Sequence, residues 1–146
     1  MPDSAGPGQW RGGLGVEMEM EFLNDGNLVS AFGDGIDPGS EAKGILGGGS
    51  GILNIGELRY PDGTVHYCKS KEVVPAIPKG TRWYQVAGGG GGYGDPRKRS
   101  AELVAREVRY AYVSPENARK YYGVVVDAKT RQLDVKATDA LRKVTA

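Results

Sequence analysis

The sequence predicts an α+β fold, with glycine-rich antiparallel β hairpins in the first two thirds and short helices at the C-terminal end. Three observations predict it: apolar and acidic residues alternate early in the chain, turn sequences separate short apolar runs, and helix-capping residues gather in the last third. The β region over residues 1–96 and the helical region over residues 97–146 are expected to form one domain.

Glycine dominates the composition, with 24 of 146 residues, more than twice the usual share of about 7%. Each glycine loses more backbone entropy on folding than any other residue, and it brings no side chain to a core. Two Trp, two Phe and eight Tyr still supply large side chains, so the chain is not a pure linker. We therefore expect a folded domain that a larger partner subunit completes.

The charge is nearly balanced, since 19 basic and 18 acidic residues give a formal charge of +1. This excludes a strong field toward nucleic acid or anionic membranes. The basic run Arg97-Lys98-Arg99 is interpreted as a solvated helix start rather than a phosphate site. The single cysteine, Cys68, excludes a disulfide within the chain. No signal peptide or membrane span is recognised, so a cytoplasmic location is expected.

The first strand is predicted over residues 15–22, where apolar residues recur at every second position opposite three glutamates. This alternation is typical of a half-buried antiparallel strand. The turn sequence Asn24-Asp25-Gly26 follows, and residues 28–32 are predicted to form its return strand. The apolar face comprises Val16, Met18, Met20 and Phe22.

A second hairpin is predicted from strands over residues 57–60 and 64–68, joined by the turn Pro61-Asp62-Gly63. His66 and Cys68 fall on one face of its second strand. They are fewer than the three or four ligands that a zinc site needs, and the chain has no further Cys or His. They are also about 7 Å apart, too far for a catalytic hydrogen bond. We interpret them as packing or interface residues, and whether either contributes to a metal at an interface stays open.

Two stretches are especially rich in glycine. Residues 44–56 mix six glycines with Ile and Leu, and residues 88–92 are five consecutive glycines ahead of Tyr-Gly-Asp-Pro. Glycine permits close approach of two backbones. A phosphate-cradling loop is the alternative for the first stretch, although no Lys-Ser/Thr follows it. A flexible linker is the alternative for the second, although the Tyr-Gly-Asp-Pro favours a fixed path. Both stretches are expected to lie against the larger partner.

The other segments between the hairpins and the helices are short. Residues 34–40 have turn chemistry, and residues 75–80 predict an extended connector because they contain two prolines. Residues 81–87 predict a short strand that runs into the five glycines. Residues 124–126 are three consecutive valines, which predict a short buried strand.

Helix starts are predicted at Ser100, at Ser114-Pro115 and at Asp134, because each side chain can accept a backbone N–H of the first turn. Gly123 is expected to end the second helix, and the third is expected to run to about Val144. The apolar stripe of the first helix comprises Val104, Val108, Ala111 and Tyr112.

Collinear blocks along nearly the whole chain resemble the C-terminal region of hydantoinase B and 5-oxoprolinase B-type proteins. The most specific is the run of glycines ending in Tyr-Gly-Asp-Pro. The block with Trp-Arg-Gly-Gly-Leu-Gly near the N-terminus is also similar to the family. The matching blocks cover residues 8–16, 46–51, 89–96, 102–104, 112–114 and 118–125.

The family's chain is several times longer, and a methionine opens this sequence just ahead of the Trp-Arg-Gly-Gly block. The family's metal and substrate groups would lie in the bulk that has no counterpart here. The resemblance therefore implies a separate small subunit of an obligate hetero-oligomer, with no catalytic, cofactor-binding or metal-binding residue of its own. ATP and a divalent metal would be bound by partner subunits, a large hydantoinase B-like chain and kinase-like hydantoinase A-like chains.

Within this superfamily the chain is similar to the small (gamma) subunit of acetophenone carboxylase. That similarity implies a role in a ligase that converts acetophenone, bicarbonate and ATP to benzoylacetate. A subunit of an ATP-dependent hydantoinase or oxoprolinase-type amide hydrolase is the first alternative. A stand-alone binding module is the second.

Overall fold

The computed structural model describes residues 1–143, and it confirms the predicted α+β class, with six strands ahead of three helices. A single 3-10 turn over Pro96–Lys98 separates the strands from the helices. No helix within residues 1–143 is long and apolar enough to cross a membrane. The strands are β1 (Val16–Glu21), β2 (Asn27–Phe32), β3 (Ile55–Arg59), β4 (Val65–Tyr67), β5 (Lys71–Ile77) and β6 (Arg82–Ala87). The helices are α1 (Ala101–Arg109), α2 (Pro115–Tyr122) and α3 (Val135–Lys143).

The chain folds as two compact units that interleave along the sequence. The first unit contains Met1–Gly15, Ala42–Ile52 and the chain from Gly89 onward, and the second contains Val16–Glu41 and Leu53–Gly88. The first unit carries all three helices, and the second carries all six strands. The β-to-helical boundary predicted after residue 96 falls inside the first unit.

The second unit contains two antiparallel sheets, one of four strands in the order β1-β6-β3-β4 and one formed by β2 and β5. The hairpin of β3 and β4 is confirmed, with Leu58 opposite His66. The prediction that residues 28–32 return beside the first strand is wrong, because β2 pairs with β5 while β1 pairs with β6. Turn residues fix where a chain reverses but not which strand it joins.

Strand β5 was missed by the sequence analysis, which placed a connector over residues 75–80. Pro75 lies inside this strand. A proline cannot donate to a sheet, but it is tolerated where a strand has an unpaired edge. In a sheet of two strands, each strand has such an edge, so the proline signal was overridden by the pairing of β2 with β5.

The helix caps of the first unit are confirmed. The hydroxyl of Ser100 accepts the Leu103 N–H, the hydroxyl of Ser114 accepts the Asn117 N–H, and Gly123 ends α2 at φ +62°. The carboxylate of Asp134 accepts the Ala137 N–H at the start of α3. A shared core joins α1 and α2 to the chain that follows α2, and its buried residues are Val104, Ala105, Val108, Val113, Ala118, Tyr122, Val124 and Val126.

Three predictions for the helical region have other outcomes. The first helix stops at Arg109 rather than reaching Tyr112, because Ala111 adopts a positive φ of 55° that a helix cannot continue through. Residues 124–126 form no strand, although Val126 makes an isolated antiparallel bridge to Leu133. Helix α3 is described through Lys143, and Val144 lies outside the described residues.

In the first unit, three backbone segments lie side by side with almost no side chains between them. We call them the glycine layer: residues 6–12, 44–51 and 89–94. The Gly6 N–H donates to Gly90 O at 2.8 Å, the Gly92 N–H to Gly49 O at 2.8 Å, and the Ile45 N–H to Gly92 O at 3.0 Å. The path of the five glycines is therefore fixed, and the linker alternative is wrong.

Close approach explains why glycine is required in this layer. A Cβ added at Gly12 would lie 2.0 Å from Gly90 O, and one added at Gly91 would lie 2.1 Å from Lys43 O. The glycine stretches were expected to lie against a larger partner. Instead they lie against each other and against the N-terminal segment of the same chain.

This packing predicts opposite outcomes for two adjacent alanine substitutions. Gly91→Ala should destabilise the chain by at least about 1–3 kcal/mol, because the new methyl group meets a backbone carbonyl that cannot move aside. At Gly90 the nearest atom to an added Cβ is Gly13 N at 3.4 Å, so Gly90→Ala should change stability by less than about 1 kcal/mol. Urea unfolding followed by circular dichroism measures both, and equal midpoints would contradict the close packing.

Candidate functional site

The second unit has an open groove of about 470 Å³ between apolar faces of its two sheets. Strands β1, β2 and β6 supply most of the lining. Met18 and Met20 of β1 point into the groove, and 52% of Met20 is exposed. The apolar face of β1 was predicted to be half-buried, but every residue of β1 is exposed. The alternating sequence correctly indicated which face of β1 is apolar. Within the described part of this chain, no other segment covers that face.

Strand β2 contributes the most exposed part of the groove wall. Phe32 is 82% exposed and Leu28 is 60% exposed, and both line the groove. Solvent-exposed apolar side chains that lie together on one concave surface are typical of a binding site for another apolar surface. The groove is therefore the candidate functional site.

The core beneath the groove is small. Only three buried hydrophobic residues form it, namely Leu58, Cys68 and Ile77. Trp83 packs against this cluster and lines the groove, and its indole N–H donates to Gln85 Oε1 at 3.3 Å. The second unit thus holds few apolar side chains inside and presents many outside, as expected of a surface that a partner completes.

Asn54, a polar residue of the groove lining, forms its hydrogen bonds with the chain itself. The side-chain amide of Asn54 donates to Asp34 O, and its oxygen accepts the Gly88 N–H at 2.6 Å. A small-molecule site needs polar groups that converge on the ligand. Because Asn54 is bound to the backbone, the groove favours an apolar protein surface over a polar small molecule.

The opposite face of the four-stranded sheet is polar and charged. Glu17 Oε1 accepts the Tyr84 hydroxyl at 2.7 Å, and Glu19 lies 3.0 Å from an Arg59 guanidinium nitrogen and 3.3 Å from one of Arg82. Exposed pairs of this kind contribute little to stability. They keep this face in water, so the groove face is the one that is available for docking.

A buried charge cluster in the first unit accounts for the predicted basic run. Arg11 Nε and Arg99 Nη2 lie 3.1 Å and 2.8 Å from Glu107 Oε1, and all three side chains are at most 15% exposed. Arg99 also donates to Gln9 O at 2.8 Å. The expectation of a solvated helix start is therefore wrong for Arg99, whose guanidinium attaches the N-terminal segment to α1.

The same cluster lies near Tyr122, whose pKa is raised to about 12 chiefly by burial and further by the Glu107 carboxylate. Such a phenol stays protonated over the whole physiological range. Every charged group of the cluster has a partner in the chain. This geometry stabilises the fold and offers no free acid or base for catalysis.

The first glycine-rich stretch does not form the phosphate cradle that was the alternative. Its N–H groups at Ile45, Gly48, Gly49 and Gly51 all donate to backbone carbonyls of the chain. A phosphate-binding loop needs such groups to point at the ligand. They are not available for one here.

His66 and Cys68, the pair that the sequence analysis considered, both lie in the second unit. Glu72, which the sequence analysis did not consider, lies beside them. His66 Nε2 lies 3.0 Å from Glu72 Oε2, and one ligand atom each of His66, Cys68 and Glu72 lie within 4.8 Å of one another. Glu72 was missed because it belongs to β5, the strand that the sequence did not reveal. A carboxylate four residues beyond Cys68 is the only signal that could have indicated it.

Comparison with known proteins identifies the family. The hydantoinase B/oxoprolinase family matches residues 1–96. The beta chain of caprolactamase from Pseudomonas jessenii is 39% identical over 146 residues, which cover 97% of this chain and 24% of that protein. A protein of Pseudomonas sp. (strain NS671) that is named as the B component of a D-/L-hydantoinase is 34% identical, covering 97% of this chain and 23% of that protein.

Two solved structures share the fold. The crystal structure of ATP-dependent caprolactamase from Pseudomonas jessenii matches with a TM-score of 0.72 and 38% identity, covering 98% of this chain and 25% of the other. The nucleotide-free structure of acetone carboxylase matches with a TM-score of 0.69 and 20% identity, covering 99% and 23%, which shows the fold alone. The chain therefore spans about a quarter of the length of these relatives.

The buried cluster predicts a large effect for a change of one atom. Glu107→Gln should destabilise the chain by about 3 kcal/mol or more, because two buried guanidinium groups lose their shared carboxylate. Glu116→Gln, at an exposed position in the first turn of α2, is the matched control and should change little. Thermal unfolding of both variants is the measurement, and a Glu107→Gln midpoint close to that of the control would contradict the role of the cluster.

Proposed function

This chain belongs to the hydantoinase B/oxoprolinase family, and from that membership we propose that it is the non-catalytic C-terminal part of an ATP-dependent enzyme that hydrolyses cyclic amides. The observation that carries the substrate class is the identity of 39% and 34% to proteins named caprolactamase and hydantoinase. Lactams and hydantoins both contain an amide within a ring. The requirement for ATP is proposed from the solved caprolactamase.

The role proposed for this chain is assembly. The groove of the second unit exposes Met20, Leu28 and Phe32, and a two-stranded sheet such as β2–β5 is marginal without further packing. We propose that the hydantoinase B-like region corresponding to the other three quarters of the relatives covers this groove. The apolar area of the groove and the unpaired edge of β1 suit an interface of the obligate class, which buries about 2,000 Å² or more.

The reaction centre is proposed to lie outside this chain. Twelve amides of the glycine layer donate to carbonyls of the first unit, and the charged groups of the Arg11–Glu107–Arg99 cluster are paired with each other. ATP and a catalytic divalent metal are therefore assigned to partner subunits, a hydantoinase B-like chain and a kinase-like hydantoinase A-like chain. This chain would support their geometry from the side.

Carboxylation of a ketone is the second candidate. It rests on the resemblance of this chain to the small subunit of acetophenone carboxylase. A stand-alone binding module is the third candidate, and it would be favoured by a free chain that is monodisperse and melts cooperatively. The exposed groove weighs against that third candidate, because a lone module would leave it in water.

A substrate assay separates the two enzyme candidates. The chain is co-expressed with hydantoinase B-like and hydantoinase A-like partners, and phosphate release from ATP is measured with each substrate class. We expect release that depends on a lactam or a hydantoin, with ring-opened product in equal amount. Turnover only with acetophenone and bicarbonate would replace amide hydrolysis by carboxylation, and turnover by the isolated chain would exclude a non-catalytic role.

A matched pair of leucines tests the docking surface. Leu28 lines the groove and is 60% exposed, whereas Leu23 is 70% exposed and lies outside the groove. Leu28→Lys should abolish co-purification with the hydantoinase B-like partner, because it places a charge in a surface that becomes desolvated. Leu23→Lys should leave the complex intact. Equal recovery of the complex with both variants would contradict the groove as the interface.

A further inference from the structure

Three side chains of different chemistry converge where β4 passes into β5. His66 lies on β4, Cys68 follows one residue after that strand ends, and Glu72 is the second residue of β5. Their imidazole nitrogen, thiol sulfur and carboxylate oxygen lie within 4.8 Å of one another. No other group of three or more His, Cys, Asp or Glu ligand atoms converges in this way among residues 1–143.

The backbone holds this arrangement in place. The Cys68 N–H donates to Gly56 O at 2.8 Å, which fixes the cysteine beside β3. The Lys69 N–H donates to Glu72 Oε2 at 3.0 Å, which orients the carboxylate toward His66. Hydrogen bonds that orient a ligand in this way are typical of the outer shell of metal sites.

The set of one nitrogen, one sulfur and one oxygen suits zinc. Zinc binds His, Cys and carboxylate ligands at about 2.0–2.3 Å, and tetrahedral bonds of that length place ligand atoms about 3.3–3.8 Å apart. His66 Nε2 and Glu72 Oε2 are already 3.0 Å apart. The sulfur can reach a common centre by a shift of about 1 Å, within the range of side-chain rotation.

Two of the three groups differ in their charge state. The pKa of Glu72 is lowered by the Lys69 backbone N–H and by His66, so its carboxylate is charged at neutral pH. The pKa of the Cys68 thiol is raised by burial and then by the Glu72 charge, so the free thiol keeps its proton. Binding of a metal there must release that proton, as thiolate coordination requires.

A simple ion pair accounts for less of the geometry. The His66–Glu72 pair uses two of the three groups, and a pair at partly exposed positions is weak. Packing in the core of the second unit accounts for the burial of Cys68, which is 4% exposed. It does not account for the position of the Cys68 sulfur within 4.8 Å of the other two ligand atoms. A metal centre accounts for all three.

We propose that His66, Cys68 and Glu72 bind a zinc ion, with water as the fourth ligand. Because His66 belongs to the four-stranded sheet and Glu72 to the two-stranded sheet, the ion joins the two sheets of the second unit. The ion would have a structural role, and it would lie close to the groove because Cys68 also lines the groove. The proposal concerns this chain's own fold and does not depend on which reaction its partners perform.

Titration of the full chain with Zn²⁺ and with Co²⁺ tests the site. We expect one ion per chain, a thiolate charge-transfer band in the Co²⁺ spectrum, and a rise in the melting temperature that a chelator reverses. Affinity should fall as the pH is lowered, because protons compete with the metal ion for its ligand atoms. A Co²⁺ spectrum without the thiolate band would overturn the proposal.

Variants separate the site from adventitious binding. His66→Gln and Glu72→Gln, at partly exposed positions, should each weaken Zn²⁺ binding by at least about tenfold, a loss seen even for outer-shell partners. Glu116→Gln in the first unit is the control for loss of one carboxylate and should bind as the parent does. Cys68→Ser should remove the charge-transfer band, and circular dichroism verifies that it is folded. Unchanged affinity in both His66→Gln and Glu72→Gln would also overturn the proposal.

Discussion

The packing of bare backbone against bare backbone is the constraint on which the first unit depends. Three segments of the glycine layer approach so closely that a single methyl group would overlap a carbonyl oxygen at positions such as Gly12. The residues ahead of this layer are attached to the connection between α1 and α2, since the Asp3 N–H donates to Tyr112 O and the Asp3 carboxylate accepts the Ser114 N–H. Within the layer, hydrogen bonds between main chains take the place of the side-chain packing that glycine cannot supply, and the side-chain core of this unit lies along α1 and α2.

The second unit differs from the first in how its apolar side chains are placed. It has side chains to bury, yet much of the apolar surface of β1 and β2 stays in water. Each Å² of that surface would contribute about 25 cal/mol if a partner covered it. The first unit is thus closed by main-chain hydrogen bonds and its own side-chain core, whereas the second unit leaves apolar side chains exposed. This division of labour suits a segment that spans about a quarter of its relatives' length.

Local signals in the sequence were reliable, and pairings between distant segments were not. The caps at Ser100 and Ser114 and the stop at Gly123 were predicted because each depends on residues within one helical turn. The partner of β2, the strand around Pro75 and the third member of the His66 cluster were not, because each depends on which strand lies beside which. The alternation in β1 indicated an apolar face correctly, but no pattern within one strand shows what covers it.

The glycine layer also governs the order in which the molecule can assemble. Its three segments lie near residues 6, 49 and 92 of the chain, so the whole layer can close only after the last of them has left the ribosome. The nascent chain can pair all six strands once residue 88 has emerged, before the layer closes. Contacts this distant in sequence slow folding, and until they form, the N-terminal segment has none of the main-chain neighbours that hold it in the finished protein.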